Sequence, residues 1–269
     1  MNSRAAPGLL ACGLLAGGLT ACGADASDPR LGRLSQSIFG GELDPDHPQV
    51  MLLFDQAGLV CTGTNIRSEG GSGFLLTAAH CVTEVLPGGG VAPLPPEQLL
   101  VVPGNDFALS PVAFVGTAIA VEPGYVGGFA ADDIAIVRYF TGAVAAPVVE
   151  TLGAADDALA VADELLLIGF GDTEAGGVNT ERRRVARDVA GLDGELVVYS
   201  QQDGSGACFG DSGGPGLTSV GGVERVAVVI SGGVESTGQP ACSSGIGVAT
   251  RVSGYEGFIN GALAALASP

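Results

Sequence analysis

Between residue 38 and about residue 252 the chain is a succession of short apolar runs, each broken by Gly, Pro or Asp. Val50–Phe54, Gly73–Ala79, Leu99–Val102, Val112–Ala120, Ile134–Phe140, Leu165–Phe170, Leu196–Ser200, Val226–Ser231 and Gly247–Val252 are each of strand length, and many are β-branched or alternating. Leu86–Pro96 (LPGGGVAPLPP) is a loop by composition. Only the end reads as helix: Tyr255, Phe258, Ile259, Ala262, Leu263 and Leu266 recur at three-to-four spacing. Many short strands, 45 glycines for turns and no strand–helix alternation predict an all-β sandwich or pair of barrels. A doubly wound α/β sheet is disfavoured. With 269 residues there is material for one large domain or two small ones, and Thr141–Glu150 is a plausible connection between halves.

The first 37 residues stand outside this pattern. Arg4 precedes an apolar, Ala- and Gly-rich stretch from Leu9 to Leu19, the form of a secretory signal and too short for a comfortable membrane span. It ends in Leu19-Thr20-Ala21-Cys22, which looks like a bacterial lipobox, with Cys22 acylated as the mature N-terminus. The alternative is an ordinary signal cleaved near Ala24 or Ala26, with Cys22 discarded. Either way the protein is expected to be exported, secreted or held at a bacterial cell envelope. In that oxidising setting Cys61, Cys81, Cys208 and Cys242 imply two disulfides, and composition leaves all three connectivities open. Two histidines and no C-x-x-C pair speak against a metal site. The net charge of −18, with no lysine, opposes nucleic-acid binding. Arg182-Arg183-Arg184 reads as an exposed loop or strand end, and His47 as a surface turn residue.

The segment ACFGDSGGP (207–215) carries the chemistry. Ser212 between glycines fits the loose nucleophile-elbow pattern G-x-S-x-G of α/β-hydrolases. A serine hydroxyl needs an adjacent base, in most cases an imidazole oriented by a carboxylate. In the elbow order the base follows the serine, yet both histidines, His47 and His80, precede Ser212. The order His, Asp, Ser is available instead. TAAHC (77–81) places His80 at the end of a strand-like run, and DDIAIV (132–137) places an acid before another.

TAAHC, D-I-A-I and GDSGGP in that order resemble the chymotrypsin-like, trypsin-fold serine endopeptidases, over Ile38 to about Leu266. The resemblance implies two packed six-stranded Greek-key β-barrels, over 38–145 and 146–269, with the C-terminal helix after the second. It implies Ser212 as nucleophile, His80 as base, Asp133 as the orienting acid, and the N–H groups of Gly210 and Ser212 as an oxyanion hole. It implies disulfides Cys61–Cys81 and Cys208–Cys242. SIFGGELDPDHPQV from Ser37 looks like the family's activation start, so that cleavage before Ile38 would let the new ammonium pair with Asp211. Ser37 is not Arg or Lys, so a trypsin-like activating protease is not expected, and Phe39 stands where Val is usual.

The acid that selects Lys or Arg in trypsin-like enzymes is replaced by Gly206, and the pocket-wall positions are Gly233 and Gly247. The resemblance therefore implies an open, uncharged pocket taking apolar or aromatic side chains. Ser231-Gly232-Gly233 would pair with an extended substrate. Ile230 replaces the histidine of glutamate-specific relatives, and Gly232 replaces an aromatic. Protein or peptide substrates, no cofactor and a monomeric state are expected. The alternative is a catalytically inactive binding protein on the same fold.

Overall fold

Alternation along each strand, apolar inward and polar outward, closes sheets into barrels when bulges and twist allow it. In the computed structural model, which describes residues 38–128, 131–173, 179–234, 242 and 245–267, two such sheets form. After a short strand β1 (Glu42–Leu43), the first barrel uses β2 (Val50–Asp55), β3 (Val60–Glu69) and β4 (Ser72–Thr77). A two-stranded ribbon follows, β5 (Thr83–Val85) with β6 (Val91–Pro93). The barrel resumes with β7 (Leu99–Val102), β8 (Phe114–Val121) and β9 (Ala135–Phe140). It closes antiparallel in the order β2-β3-β4-β9-β8-β7.

The second barrel comprises β10 (Glu164–Gly169), β11 (Arg183–Asp193), β12 (Leu196–Ser200), β13 (Pro215–Val220), β14 (Val223–Val234) and β15 (Ile246–Arg251). Its order is β11-β10-β13-β14-β15-β12, with β12 returning to β11 and closing the sheet. This is the expected pair of six-stranded antiparallel barrels. Helix α1 (Glu256–Ala267) follows the last strand. It packs Ile259 and Ala262 into the core of the first barrel, together with Leu53, Phe74 and Ile136. The N-terminal end crosses the other way: β1 pairs with β11, and the fully buried Ile38 joins Leu165, Val197 and Ile230 in the second core. Burying one such aliphatic side chain contributes about 1.5–3 kcal/mol.

Two sequence expectations are corrected here. Arg182 is not exposed: its side chain is 0% accessible. It donates to Asp44 Oδ2 at 3.0 Å, Val50 O at 3.1 Å, Gly104 O at 3.3 Å and Asn105 Oδ1 at 2.6 Å. A buried guanidinium is tolerated because its planar fork finds an acceptor in each direction. Arg183 is also buried, and Arg184 reaches Glu42 and Asp46. Nor is His47 a surface residue. It is 4% exposed, with Nδ1 2.7 Å from Asp44 Oδ1 and Nε2 3.2 Å from Glu224 Oε2. A run of charges reads as solvated in one dimension. Here the strand that carries it lies against an acidic segment folded over it.

The leader, Cys22 and the residues up to Ser37 lie outside the described residues. Among the described residues no helix is long and apolar enough to cross a membrane.

Candidate active site

Strand β4 ends at Thr77, and a single 3-10 turn, Ala79–Cys81, carries His80 out of the first barrel. Asp133 sits just ahead of β9, the strand paired with β4, so the pairing brings the two residues together. Asp133 is fully buried. Its Oδ1 accepts the backbone N–H of His80 at 2.9 Å, and its Oδ2 lies 2.8 Å from His80 Nδ1. A carboxylate holding both backbone and ring fixes the imidazole with its Nε2 face directed away. The preceding Asp132 adopts φ 65°, a conformation that costs an L-residue energy. Tyr255, at the start of the C-terminal helical segment, compensates. Its hydroxyl accepts the Asp132 N–H at 2.9 Å and donates to Asp132 Oδ1 at 2.9 Å.

The second barrel supplies the serine. Between β13 and the disulfide Cys208–Cys242, the chain turns sharply at Asp211-Ser212. Gly210 at φ 99° and Gly213 at φ 83° hold backbone conformations that disfavour side chains. A Cβ on Gly213 would lie 2.1 Å from Thr77 Oγ1 and 2.3 Å from Thr62 O, so only glycine fits. Strand β3 of the first barrel grips this turn: Thr62 N–H donates to Ser212 O, and Thr62 Oγ1 to Gly210 O, each at 2.8 Å. The second disulfide, Cys61–Cys81, ties β3 to the histidine turn. With both sulfurs bonded, Cys61 and Cys81 offer no thiolate to a metal beside His80.

Ser231 links Asp133 to Ser212. The β14–β15 register shifts between Ile230 and Gly232, and such bulges re-aim side chains. The Ser231 hydroxyl donates to Asp133 Oδ2 at 2.5 Å, while its carbonyl accepts the Ser212 hydroxyl at 3.4 Å. A hydroxyl, an imidazole and a buried carboxylate in this sequence can carry nucleophilic acyl transfer. Asp211 is separate. It is fully buried, its carboxylate accepts the N–H groups of Gly171 at 2.7 Å and Cys208 at 2.8 Å, and burial pushes its pKa up to about 7.

Beside Ser212 opens a cavity of about 90 Å³, whose lining includes Gln201, Cys208, Ile230, Gly233 and Ile246. Gly232 also borders it, and the adjacent Phe209 is 67% exposed. Gly206 lies behind Gln201: a Cβ there would come within 2.6 Å of Gln201 Cγ and Cδ. Gly247 is buried opposite Gly233, and a Cβ on it would lie 2.1 Å from the ring of Tyr199. Its glycine is therefore required by the packing of Tyr199. The sequence reading missed Gln201, since nothing local in SQQDGSG distinguishes it from any other loop glutamine.

The model of the family described as Trypsin matches residues 38–259 of this chain. Serine protease SP24D of Anopheles gambiae is 25% identical to it over 192 residues, which is 67% of each chain.

Proposed function

The chain belongs to the trypsin family, and on that premise we propose that it is a serine endopeptidase working through an acyl-enzyme on Ser212. The observation that carries the reading is the buried Asp133 carboxylate bonded to both the N–H and Nδ1 of His80. Ser212 Oγ attacks the scissile carbonyl as His80 Nε2 takes its proton. The carbonyl oxygen becomes an oxyanion facing the N–H groups of Gly210 and Ser212. His80 then returns the proton to the leaving amine, and water repeats the sequence to free the acid. Asp133 stabilises the imidazolium and keeps its own charge.

The cavity beside Ser212 has apolar walls and no acid among its described lining residues, which supports an uncharged, apolar residue before the scissile bond. Its volume of about 90 Å³ is below the ~150 Å³ that admits benzene in an engineered cavity, favouring aliphatic over aromatic groups. Processing before Ile38 would activate the protein. Ile38 is fully buried in the second core, and Asp211 is a buried acid with no cation bonded to it among the described residues. A new α-ammonium at Ile38 would supply one. Two disulfides support export. If Cys22 is lipidated, the same cut releases the enzyme from its anchor.

The test uses two measurements. A fluorophosphonate should label Ser212 in the protein processed before Ile38, and His80→Ala should abolish the labelling. A peptide-library digest should then show cleavage after uncharged residues. Cleavage after Lys or Arg overturns the pocket assignment. A folded, processed protein that neither labels nor cleaves overturns the enzyme, leaving a binding module on the same fold.

A further inference from the structure

Residue 206, the position that decides charge selectivity by resemblance, does not form the floor of the pocket in this chain. A side chain built on Gly206 would run into Gln201, whose Cγ and Cδ lie 2.6 Å and Oε1 2.8 Å from the Cβ position. The Gln201 carboxamide therefore occupies the space into which residue 206 would project. It is held there firmly. The backbone N–H of Gln201 donates to Gly245 O at 3.1 Å, and Nε2 donates to Ala207 O at 3.2 Å and Cys242 O at 3.4 Å. Two carbonyls facing one end of the amide fix which end is nitrogen. Both lie beside the Cys208–Cys242 disulfide, so the side chain spans the two segments that wall the cavity.

That arrangement leaves one group without a partner. Gln201 is 3% exposed, it lines the cavity, and its Oε1 accepts no hydrogen bond among the described residues. A buried acceptor left unpaired is costly, and a ligand donor that reaches it recovers the cost. A neutral amide cannot compensate a buried ammonium or guanidinium, so the matching donor is uncharged. Apart from Ser212 and two glycines, the remaining described lining is apolar, with Ile230, Val234, Ile246 and the disulfide.

We propose that Gln201 is the specificity-determining floor of the pocket, selecting a substrate side chain with an apolar stem and an uncharged N–H or O–H donor at its tip. Glutamine is the best match by length and chemistry. This rests on the endopeptidase reading and replaces its wholly apolar substrate side chain with one that ends in an uncharged donor. An apolar side chain still enters, but it leaves Oε1 unpaired.

Paired peptides differing only in Gln or Met before the scissile bond test it. The native enzyme should favour Gln by about tenfold in kcat/KM, the size expected for one recovered buried hydrogen bond. Gln201→Met, similar in shape but without the acceptor, should remove that preference. A native enzyme without the preference, or a folded Gln201→Met variant that keeps it, overturns the proposal. If Gln201→Met fails to fold, peptide binding without catalysis decides. Product peptides ending in Gln or Met, titrated calorimetrically into the Ser212→Ala protein processed before Ile38, read the pocket without catalysis. If no peptide is cleaved but the Gln-ended product binds more tightly, the pocket assignment stands and the endopeptidase reading falls. Equal binding overturns the pocket assignment.

Discussion

At the scale of single residues, the site depends on hydrogen bonds whose partners come from distant parts of the chain. Ser231 was legible in Ser231-Gly232-Gly233 as a substrate-pairing edge, yet its hydroxyl is spent on Asp133. Ser231→Ala should lower kcat/KM roughly 10- to 100-fold, the cost of one hydrogen bond to a charged group, while near-ultraviolet circular dichroism stays native. His47 offers a second test. Burial opposes its charge, but the carboxylates of Asp44 and Glu224 more than offset this and hold its pKa above the ordinary value. A histidine raised in the folded state stabilises the protein most below its unfolded pKa of about 6.5, and that contribution is lost as pH rises through the folded pKa. The stability gap between the native protein and His47→Gln, measured by urea unfolding, should therefore narrow as pH rises above about 6.5. A gap that widens with pH would exclude a charged His47 in the fold.

At the scale of elements, the strands found in the sequence were those with continuous apolar character, such as β4, β9, β10 and β15. Among the barrel strands three escaped notice, namely β3, β11 and β13; so did the short β1, β5 and β6, the last inside the Leu86–Pro96 stretch read as a loop. β3 (VCTGTNIRSE) and β11 (RRVARDVAGLD) carry polar and charged residues, and β13 (PGLTSV) has small ones. Such strands are held by their neighbours in the closed sheet, which local hydropathy does not register. Arg182, immediately before β11, shows how much such a segment can hold. It joins the acidic N-terminal segment at Asp44 to Val50, Gly104 and Asn105 of the first-barrel region. Arg182→Met should cost about 3–5 kcal/mol, because Asp44, Val50 O and Gly104 O lose the buried donor they share and only His47 remains on Asp44. For a domain of this size, that corresponds to a fall in Tm of roughly 10 °C in scanning calorimetry. A fall of under about 2 °C would mean that the network contributes little.

At the scale of the whole molecule, the barrels are stitched together by chain ends and by the serine turn. Helix α1 follows the second barrel and packs on the first, β1 precedes the first and pairs with the second, and Thr62 of the first barrel grips the turn at Ser212. The buried Asp211 makes the proposed processing before Ile38 measurable. With its pKa pushed up to about 7 by burial, the folded uncut chain retains a proton that the unfolded chain releases near pH 4. Its stability should then fall as pH rises from about 4 to 7, by on the order of 4 kcal/mol. Once an ammonium at Ile38 pairs with Asp211 that loss should disappear, so the difference in Tm between processed and full-length protein should grow across this pH range. A constant difference would argue against the pairing. Local pattern alone predicts the all-β class and the terminal helix, and the order of two histidines and one serine motif disfavours the nucleophile elbow, while His80, Asp133 and Ser212 as a triad are what the family resemblance implies. The first three are properties of local pattern and chain order. Closure of the barrels alone buries Arg182 and His47, makes Gly247 give room to Tyr199 and puts Gln201 where a side chain at 206 would project. Each of those depends on which surfaces meet when two barrels close, and no window along the chain contains both partners.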